Sequence, residues 1–179
     1  MQNKEVLENE IHNTYIQHIY KSKQEMKTLI IQSPEYMQIV GTFLAKQHKI
    51  LLLEWDLGAG KTTLSKGFAK WLGIEENKVQ SPTYTYINTY DNKLLHVDMW
   101  RLESYEDLVK KGIQHEIEQA EYILIERPKF TDQLDLYKPL HLTIKKISHT
   151  QREIFFWKEL STDEFHTLEE LTQTEPYEK

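Results

Sequence analysis

The stretch EWDLGAGKTT, residues 54–63, lies between an apolar run and a helical pattern. Its second half matches the nucleotide-loop pattern G-x-x-x-x-G-K-[ST] at Gly60, Lys61 and Thr62. The first glycine of that pattern belongs at position 55, where this chain has Trp55. A loop between a buried strand and a helix directs several backbone N–H groups at one place, beside the positive end of the helix dipole. The stretch therefore predicts a strand–loop–helix unit that binds phosphate groups, and residues 55–62 are called the phosphate loop below.

The residues on either side of the phosphate loop have the patterns that such a unit requires. Residues 49–54 form a short apolar run, which is typical of a buried strand. In residues 62–72 the apolar side chains fall on one side of a helix, and Gly73 is a residue type that commonly ends one.

Outward from this unit, strands and helices alternate in the first half of the chain and strands pair as hairpins later. Ser33 and Pro34 favour the start of a helix that runs to about residue 47, and Ser161 and Glu164 form a capping box for a C-terminal helix. The order predicts an α/β domain of the P-loop NTPase type, with a mixed β-sheet flanked by helices. The other predicted elements are strands at 28–31, 82–90, 93–98, 121–126, 140–147 and 153–157, and a helix at 104–111 that Gly112 ends.

Three segments are predicted: a helical extension at 1–27, the P-loop domain at 28–160, and an acidic C-terminal helix and tail at 161–179. The extension is interpreted as a helix packed on the body, while a docking helix for a partner and a frayed extension remain alternatives. Six acidic residues against one lysine place −5 of the net charge of −6 in residues 161–179. In the extension, apolar and other residues recur at three- and four-residue steps, which is typical of one face of a helix: Leu7, Ile11, Tyr15, His18 and Ile19.

Composition excludes several classes of protein. The chain has no cysteine, so disulfides and thiolate-bound metals are excluded. The N-terminus is charged where a signal peptide is apolar, and no apolar run approaches the roughly 20 residues that span a bilayer. The negative charge argues against independent binding of nucleic acid. We therefore expect a cytoplasmic protein.

Two carboxylates follow apolar strand cores. Asp98 ends the predicted strand at 93–98, and Glu126 ends the one at 121–126. Mg²⁺ prefers oxygen ligands and, in nucleotide sites, is held by one or two carboxylates together with phosphates. We therefore expect Asp98 and Glu126 to serve a nucleotide held by the phosphate loop, although a strand-terminal acid on the surface is also common.

Four motifs in order resemble the bacterial TsaE family, over roughly residues 28–157. They are LGAGKTT at 57–63, SPTYT at 81–85, HVDMWRL at 96–102 and LIERP at 124–128. The resemblance implies a small ATPase subunit of tRNA threonylcarbamoyladenosine biosynthesis. It would act with TsaD and TsaB on the adenosine beside the anticodon of ANN-decoding tRNAs, so that it meets tRNA only through the complex. ATP hydrolysis would support turnover of that assembly.

The resemblance also implies roles for individual residues, with ATP and Mg²⁺ as cofactors. Lys61 would contact the phosphates, Thr62 would bind Mg²⁺, and Thr63 would support the loop. Asp98 would serve the metal directly or through water, and Glu126 would position the metal or the attacking water. Nucleotide contacts would come from the loop and from the SPTYT segment, at Leu57, Gly58, Ala59, Gly60, Lys61, Thr62, Thr63, Ser81 and Thr83. The expected catalytic residues are Glu126, Asp98 and Lys61, and the expected metal ligands are Thr62, Asp98 and Glu126.

The chain departs from the family pattern at two positions. Trp55 replaces a glycine, and if that glycine adopts a special backbone conformation the strain costs about 1–3 kcal/mol. Nucleotide binding would then weaken by roughly tenfold to a hundredfold. Arg127 stands where the family usually has tryptophan. We interpret it as a solvated charge at a strand end, with a phosphate or a partner's carboxylate as alternative contacts.

Two other functions remain open. Trp55 and Arg127 favour a binding-only subunit that holds nucleotide weakly or not at all and acts as an assembly or regulatory partner. A small-molecule kinase would need an arginine-rich lid, and the chain has three scattered arginines. Of the histidines, His96 is expected to pack or hydrogen-bond near the site without binding a metal. Tyr84, Tyr86 and Tyr90 are expected to share a strand face, without the basic neighbours of a nucleic-acid platform.

Overall fold

One mixed β-sheet of seven strands, in the order β1-β7-β6-β2-β5-β4-β3, forms the centre of the described molecule. The computed structural model describes residues 26–55, 58–157 and 160–173, and at Trp55 the backbone alone. The predicted extension at 1–27 therefore lies almost wholly outside the described residues. The strands are β1 (Lys27–Ile31), β2 (Ile50–Trp55), β3 (Ile87–Tyr90), β4 (Leu94–Asp98), β5 (Tyr122–Glu126), β6 (Leu140–Lys146) and β7 (Arg152–Phe156).

The sheet is parallel at its centre and antiparallel at its edges. Strands β4, β5, β2 and β6 run in one direction, whereas β1, β7 and β3 pair antiparallel to their neighbours. The carboxyl ends of parallel strands meet at one edge of a sheet, which is where ligands bind in open α/β sheets. In register, Asp98 of β4 lies opposite Glu126 of β5, and Glu126 lies opposite Leu53 of β2. This pairing brings both predicted acids to the strand that leads into the phosphate loop.

Helices cover both faces of the sheet, as the α/β prediction requires. The larger core lies beneath α1 (Pro34–Gln47), α2 (Lys61–Trp71) and α6 (Thr162–Gln173). The smaller core lies beneath α3 (Tyr105–Lys110), α4 (Ile113–Gln119) and α5 (Thr131–Leu134). None of the helices in the described ranges is both long and apolar enough to cross a membrane.

Local capping explains where three of these helices begin. The Ser33 hydroxyl accepts from the Tyr36 N–H at 3.4 Å, and Pro34 occupies the first turn of α1. Ser104 accepts from the Asp107 N–H at 3.1 Å at the start of α3. The predicted capping box of α6 is confirmed, because the Ser161 N–H donates to Glu164 at 2.8 Å and the Glu164 N–H donates back at 3.2 Å.

Two glycines let α1 and α2 lie in direct backbone contact. A Cβ at Gly41 would lie 2.1 Å from the Leu64 carbonyl oxygen, and a Cβ at Gly67 would lie 2.1 Å from the Gln38 carbonyl oxygen. Any larger side chain at either position would push the helices apart. The close approach matters for function because the phosphate loop continues directly into α2.

The predicted strand at 82–90 was wrong in its first half. Residues 82–86 form turns rather than the first half of a strand, and β3 begins only at Ile87. The N–H groups of Thr85 and Tyr86 donate to the Pro82 carbonyl at 3.1 and 2.9 Å, and Tyr86 has a φ of +67°. Tyr84 and Tyr86 therefore share no strand face with Tyr90.

Candidate functional site

The phosphate loop leads from β2 into α2 with its glycines in left-handed conformations. Gly58 has a φ of +73°, and Gly60, the N-terminal cap of α2, has a φ of +97°. Only glycine adopts this region without strain, so Gly58 and Gly60 suit the turn that the loop makes. Gly60 has no side chain with which to cap the helix, so the cap residue does not compete with a ligand for the first N–H groups of α2.

Trp55 is the last residue of β2 and pairs with Ile144 of the neighbouring strand β6. Strand backbone is extended, a conformation that every L-residue adopts readily. The backbone at Trp55 therefore does not show the torsional strain that was expected from replacing a glycine. Leu57, another predicted contact, lies outside the described residues.

Glu126 is the centre of the site. Its carboxylate is fully buried and accepts from Lys61 Nζ at 2.7 Å, from His96 Nε2 at 2.8 Å and from the Ser81 hydroxyl at 3.3 Å. The side chain lies on the same face of the sheet as Leu124, which packs beneath α1 and α2, because alternate residues of a strand share a face. Glu126 therefore lies under the start of α2, within reach of the loop lysine.

Asp98 is the second buried carboxylate. One oxygen accepts from the Trp100 N–H at 2.9 Å and from Arg127 Nε at 3.0 Å. The other oxygen accepts from the Thr83 hydroxyl at 2.8 Å and from Arg127 Nη2. The guanidinium thus forms a two-pronged ion pair with Asp98, and it also lies over the Trp100 ring at 4.9 Å. The interpretation of Arg127 as a solvated charge is wrong.

The SPTYT segment links the two carboxylates. The hydroxyls of Ser81 and Thr83 lie 2.9 Å apart, and each also contacts one of the acids. Arg101 Nη2 donates to the backbone carbonyls of Thr83 at 2.9 Å and Tyr84 at 2.5 Å, which holds the segment from outside. Lys61, Glu126, the two hydroxyls and Asp98 therefore form one continuous polar network.

Both acids remain ionised because of this network. Burial opposes the charge of Asp98, yet the hydrogen bonds from Arg127, from the Trp100 N–H and from Thr83 hold its pKa below the usual value. Burial likewise opposes the charge of Glu126, and the hydrogen bond from His96 together with the Lys61 ammonium holds its pKa below the usual value. Two anions and two nearby cations leave the site close to neutral.

Arg152 reaches the phosphate loop from β7. Its Nε donates to the Ala59 carbonyl at 3.0 Å, and its Nη2 donates to the Gly58 carbonyl at 3.3 Å. Its remaining nitrogen donates to the carbonyls of Ser148 and Gln151, both at 2.9 Å. The guanidinium therefore joins the loop to the β6–β7 turn.

Most of the predicted site residues come together at the carboxyl edge of the parallel strands. Lys61, Ser81, Thr83, Asp98 and Glu126 lie in one network, and the expected hydrogen bond of His96 near the site is confirmed. No predicted hydroxyl or acid of the described residues lies on the opposite edge. Thr62 and Thr63 occupy the first turn of α2.

The contacts of Arg127 and Arg152 were not predicted from the sequence. Arg127 and Arg152 contact partners 29 and 93 residues away in the chain, and no local pattern marks such contacts. The only available signal for Arg127 was its position immediately after a strand-terminal acid.

The donor set partly fits a magnesium ion. A hydroxyl at Thr62 and a carboxylate at Glu126 are hard oxygen donors of the type that Mg²⁺ takes beside nucleotide phosphates. Asp98 fits less well, since both of its oxygens already have two donors. Within the described ranges, no three His, Asp or Glu side chains cluster as a preformed metal centre.

Comparisons with known proteins agree with this architecture. The family model described as "Threonylcarbamoyl adenosine biosynthesis protein TsaE" matches residues 31–154. The tRNA threonylcarbamoyladenosine biosynthesis protein TsaE of Bacillus subtilis is 39% identical over 116 residues, covering 63% of this chain and 71% of that protein. The protein of the same name from Treponema pallidum is 35% identical over 108 residues, covering 55% of this chain and 78% of that protein.

A solved structure supports the fold independently. The crystal structure of Bacillus subtilis YdiB has a TM-score of 0.53 and 26% sequence identity, and the match covers 83% of this chain and 95% of that one. The family match spans well over half of the chain and includes the phosphate loop, both acids and Arg152. The protein therefore belongs to the TsaE family and takes part in tRNA threonylcarbamoyladenosine biosynthesis.

Proposed function

We propose that this protein is a P-loop ATPase subunit that uses MgATP to support threonylcarbamoyladenosine formation by TsaD-like and TsaB-like partners. The adenosine modified would be the one beside the anticodon of ANN-decoding tRNAs, and tRNA would be contacted through the complex. One observation carries the proposal: the loop lysine and two buried carboxylates meet where a left-handed glycine opens a helix.

Each group has a role in phosphoryl transfer, where positioning and charge neutralisation supply most of the catalysis. Backbone N–H groups of the loop and of the first turn of α2 would bind the phosphates. Lys61 would exchange Glu126 for the phosphates when nucleotide enters, because three or four phosphate charges attract the ammonium more strongly than one carboxylate. Glu126 would then be able to orient the attacking water, held in place by His96 and Ser81.

Mg²⁺, when bound with the nucleotide, would neutralise phosphate charge. Thr62 and Glu126 are the residues whose oxygens would hold it. Ser81 and Thr83 would present their hydroxyls to the nucleotide or to its metal, as the resemblance predicts.

The alternative is an assembly subunit that does not hydrolyse ATP. The observation that favours it is the pairing of Glu126 with Lys61 and of Asp98 with Arg127, which leaves the carboxylates already neutralised. A kinase with an arginine lid is less favoured, since Arg101, Arg127 and Arg152 all bind groups of the fold.

Two measurements test the proposal. Calorimetric titration with ADP and with a non-hydrolysable ATP analogue, each with Mg²⁺, asks whether the isolated protein binds nucleotide. ATP turnover by the protein with its TsaD and TsaB partners asks whether it hydrolyses nucleotide. We expect micromolar binding, and turnover that Lys61→Ala abolishes.

Lys70→Ala is the matched control, because Lys70 lies at the other end of α2 and pairs with Glu76 at 3.3 Å. That variant should retain both activities. Binding without any turnover in the full complex would favour the assembly subunit, and the absence of both would refute the nucleotide proposal.

A further inference from the structure

Asp98 has no position left for a metal ion in the described structure. A carboxylate offers about four lone-pair sites, and four donor contacts from Trp100, Thr83 and Arg127 occupy them. The side chain is 1% exposed, so solvent does not offer another approach. A divalent cation could ligate Asp98 only by displacing one of these donors.

Arg127 is the donor that a cation would have to displace. The Trp100 N–H belongs to the backbone two residues from Asp98, and the Thr83 hydroxyl is neutral and can turn towards another acceptor. The guanidinium, in contrast, carries a positive charge 3.0 Å from one Asp98 oxygen and in contact with the other. A magnesium ion about 2.1 Å from the same oxygen would lie within about 5 Å of that charge and would be repelled by it.

The surroundings of Arg127 hold it in this position. The backbone N–H of Arg127 donates to the Leu53 carbonyl at 3.0 Å, and its Nη2 also donates to the Thr83 hydroxyl at 3.1 Å. The Trp100 ring packs against the guanidinium at 4.9 Å. Its φ of +51° is an uncommon backbone conformation for a residue with a Cβ, and such conformations persist where neighbouring contacts impose them.

We propose that Arg127 is the resident cation of Asp98 and excludes a divalent metal from that carboxylate. Asp98 then serves as a positioning residue, which orients Arg127 and, through Thr83, the SPTYT segment. For the nucleotide site this inference rests on the proposed function, and it places the metal of the bound nucleotide at Thr62 and Glu126. The competition between Arg127 and a cation is, however, a property of the protein without nucleotide.

The test measures Mn²⁺ binding to the nucleotide-free protein by electron paramagnetic resonance, which reports the free ion. We expect Arg127→Met to bind Mn²⁺ at least tenfold more tightly than the unmodified chain, because the substitution removes the competing charge and keeps the side-chain volume. Adding Asp98→Asn to that variant should abolish the gain. If Arg127→Met does not fold, Arg127→Gln removes the same charge and retains a hydrogen-bond donor.

Arg101→Met is the matched control, since it removes a nearby guanidinium that binds backbone carbonyls and not Asp98. Its Mn²⁺ affinity should stay within about twofold of that of the unmodified chain. The proposal would be overturned if Arg127→Met gained no affinity, if Arg101→Met gained as much, or if the unmodified chain bound Mn²⁺ in a manner lost in Asp98→Asn.

Failure of the proposed function would look different. If the protein bound no nucleotide in calorimetry, the ATPase proposal would fall while the Mn²⁺ measurement still decided the role of Arg127. If nucleotide did bind, comparing its affinity in the presence of Mg²⁺ and of EDTA would provide a second test of the role of Asp98. The enhancement by Mg²⁺ should be similar in the unmodified chain and in Asp98→Asn, and its loss in Asp98→Asn would contradict the proposal.

Discussion

Replacing Arg152 by methionine should weaken nucleotide binding although the residue lies outside the phosphate-loop sequence. The guanidinium donates to the carbonyls of Ala59 at 3.0 Å and Gly58 at 3.3 Å. In a trans peptide the carbonyl and the N–H point in opposite directions. By holding the carbonyls on its own side, Arg152 leaves the N–H groups of the next residues on the opposite side, where the proposed nucleotide would place its phosphates.

The size of the effect follows from these two contacts. A hydrogen bond to a charged group contributes about 1.5–3 kcal/mol, and the lower end applies because Arg152 is partly exposed. Some of this energy is recovered when water replaces the guanidinium. A net loss of about 2 kcal/mol in loop ordering corresponds to a decrease in nucleotide affinity of about thirtyfold.

Calorimetric titration with ADP and Mg²⁺ measures this loss directly, and thermal unfolding of the same samples shows whether the fold is intact. Lys146→Met is the matched control, since Lys146 is the exposed partner of Arg152 in the β6–β7 register. That variant removes a positive charge from the same hairpin without a contact to the loop. Its affinity for ADP should change by less than about twofold.

The reasoning would be refuted if Arg152→Met bound ADP within about twofold of the unmodified chain. It would also be refuted if Lys146→Met lost as much affinity, because the effect would then come from the net charge of the hairpin. A loss of affinity together with complete unfolding would leave Arg152→Lys as the deciding variant. That variant keeps the charge but not the forked geometry of the guanidinium. Its affinity for ADP should lie between those of the unmodified chain and of Arg152→Met.

Three further outcomes are expected. Trp55→Gly should not tighten ADP binding in calorimetry, and it should lower the free energy of unfolding in urea by about 1 kcal/mol, because a glycine within a strand is entropically unfavourable; tighter binding would show that Trp55 does impose backbone strain on the loop. Gly67→Ala should lower the melting temperature by several degrees, since the added Cβ would lie 2.1 Å from the Gln38 carbonyl oxygen; an unchanged melting temperature would show that the helices separate without cost. The pKa values of Asp98 and Glu126 are lowered on folding, so their contribution to stability is fully present above about pH 4.5 and is lost as the pH falls through the lowered values. The double variant Asp98→Asn and Glu126→Gln should therefore show a smaller decrease in the free energy of unfolding at acid pH. An unchanged decrease would contradict the lowered pKa values.

The segment at 82–86 shows why a local pattern can be misread. Its alternating threonines and tyrosines are typical of a strand. The chain instead turns there, because the side chains of Ser81 and Thr83 bind Glu126 and Asp98, which belong to strands later in the sequence. A strand continuing through residue 86 would have directed those hydroxyls away from the two carboxylates. The residues of the segment alone do not indicate these contacts, because the acids belong to other strands.

Helix and strand positions elsewhere were predictable because their signals are local. The serines that cap α1, α3 and α6 each accept from an N–H group three residues away. The short helix α4, which begins after Gly112, was not predicted, since a break by glycine does not indicate whether a helix resumes. The order of the strands within the sheet likewise depends on contacts between segments far apart in the chain.

The amino-acid sequence by itself determined the strand–loop–helix unit around Lys61, the α/β class and the two strand-terminal acids. These features depend on hydrophobic period, glycine conformation and capping, which act over a few residues. Only the tertiary structure decided that Arg127 neutralises Asp98, that His96 supports Glu126 and that Arg152 orients the phosphate loop. Those assignments require buried charges to find partners, and a buried charge is stabilised by whichever opposite charge the fold brings near, regardless of distance along the chain.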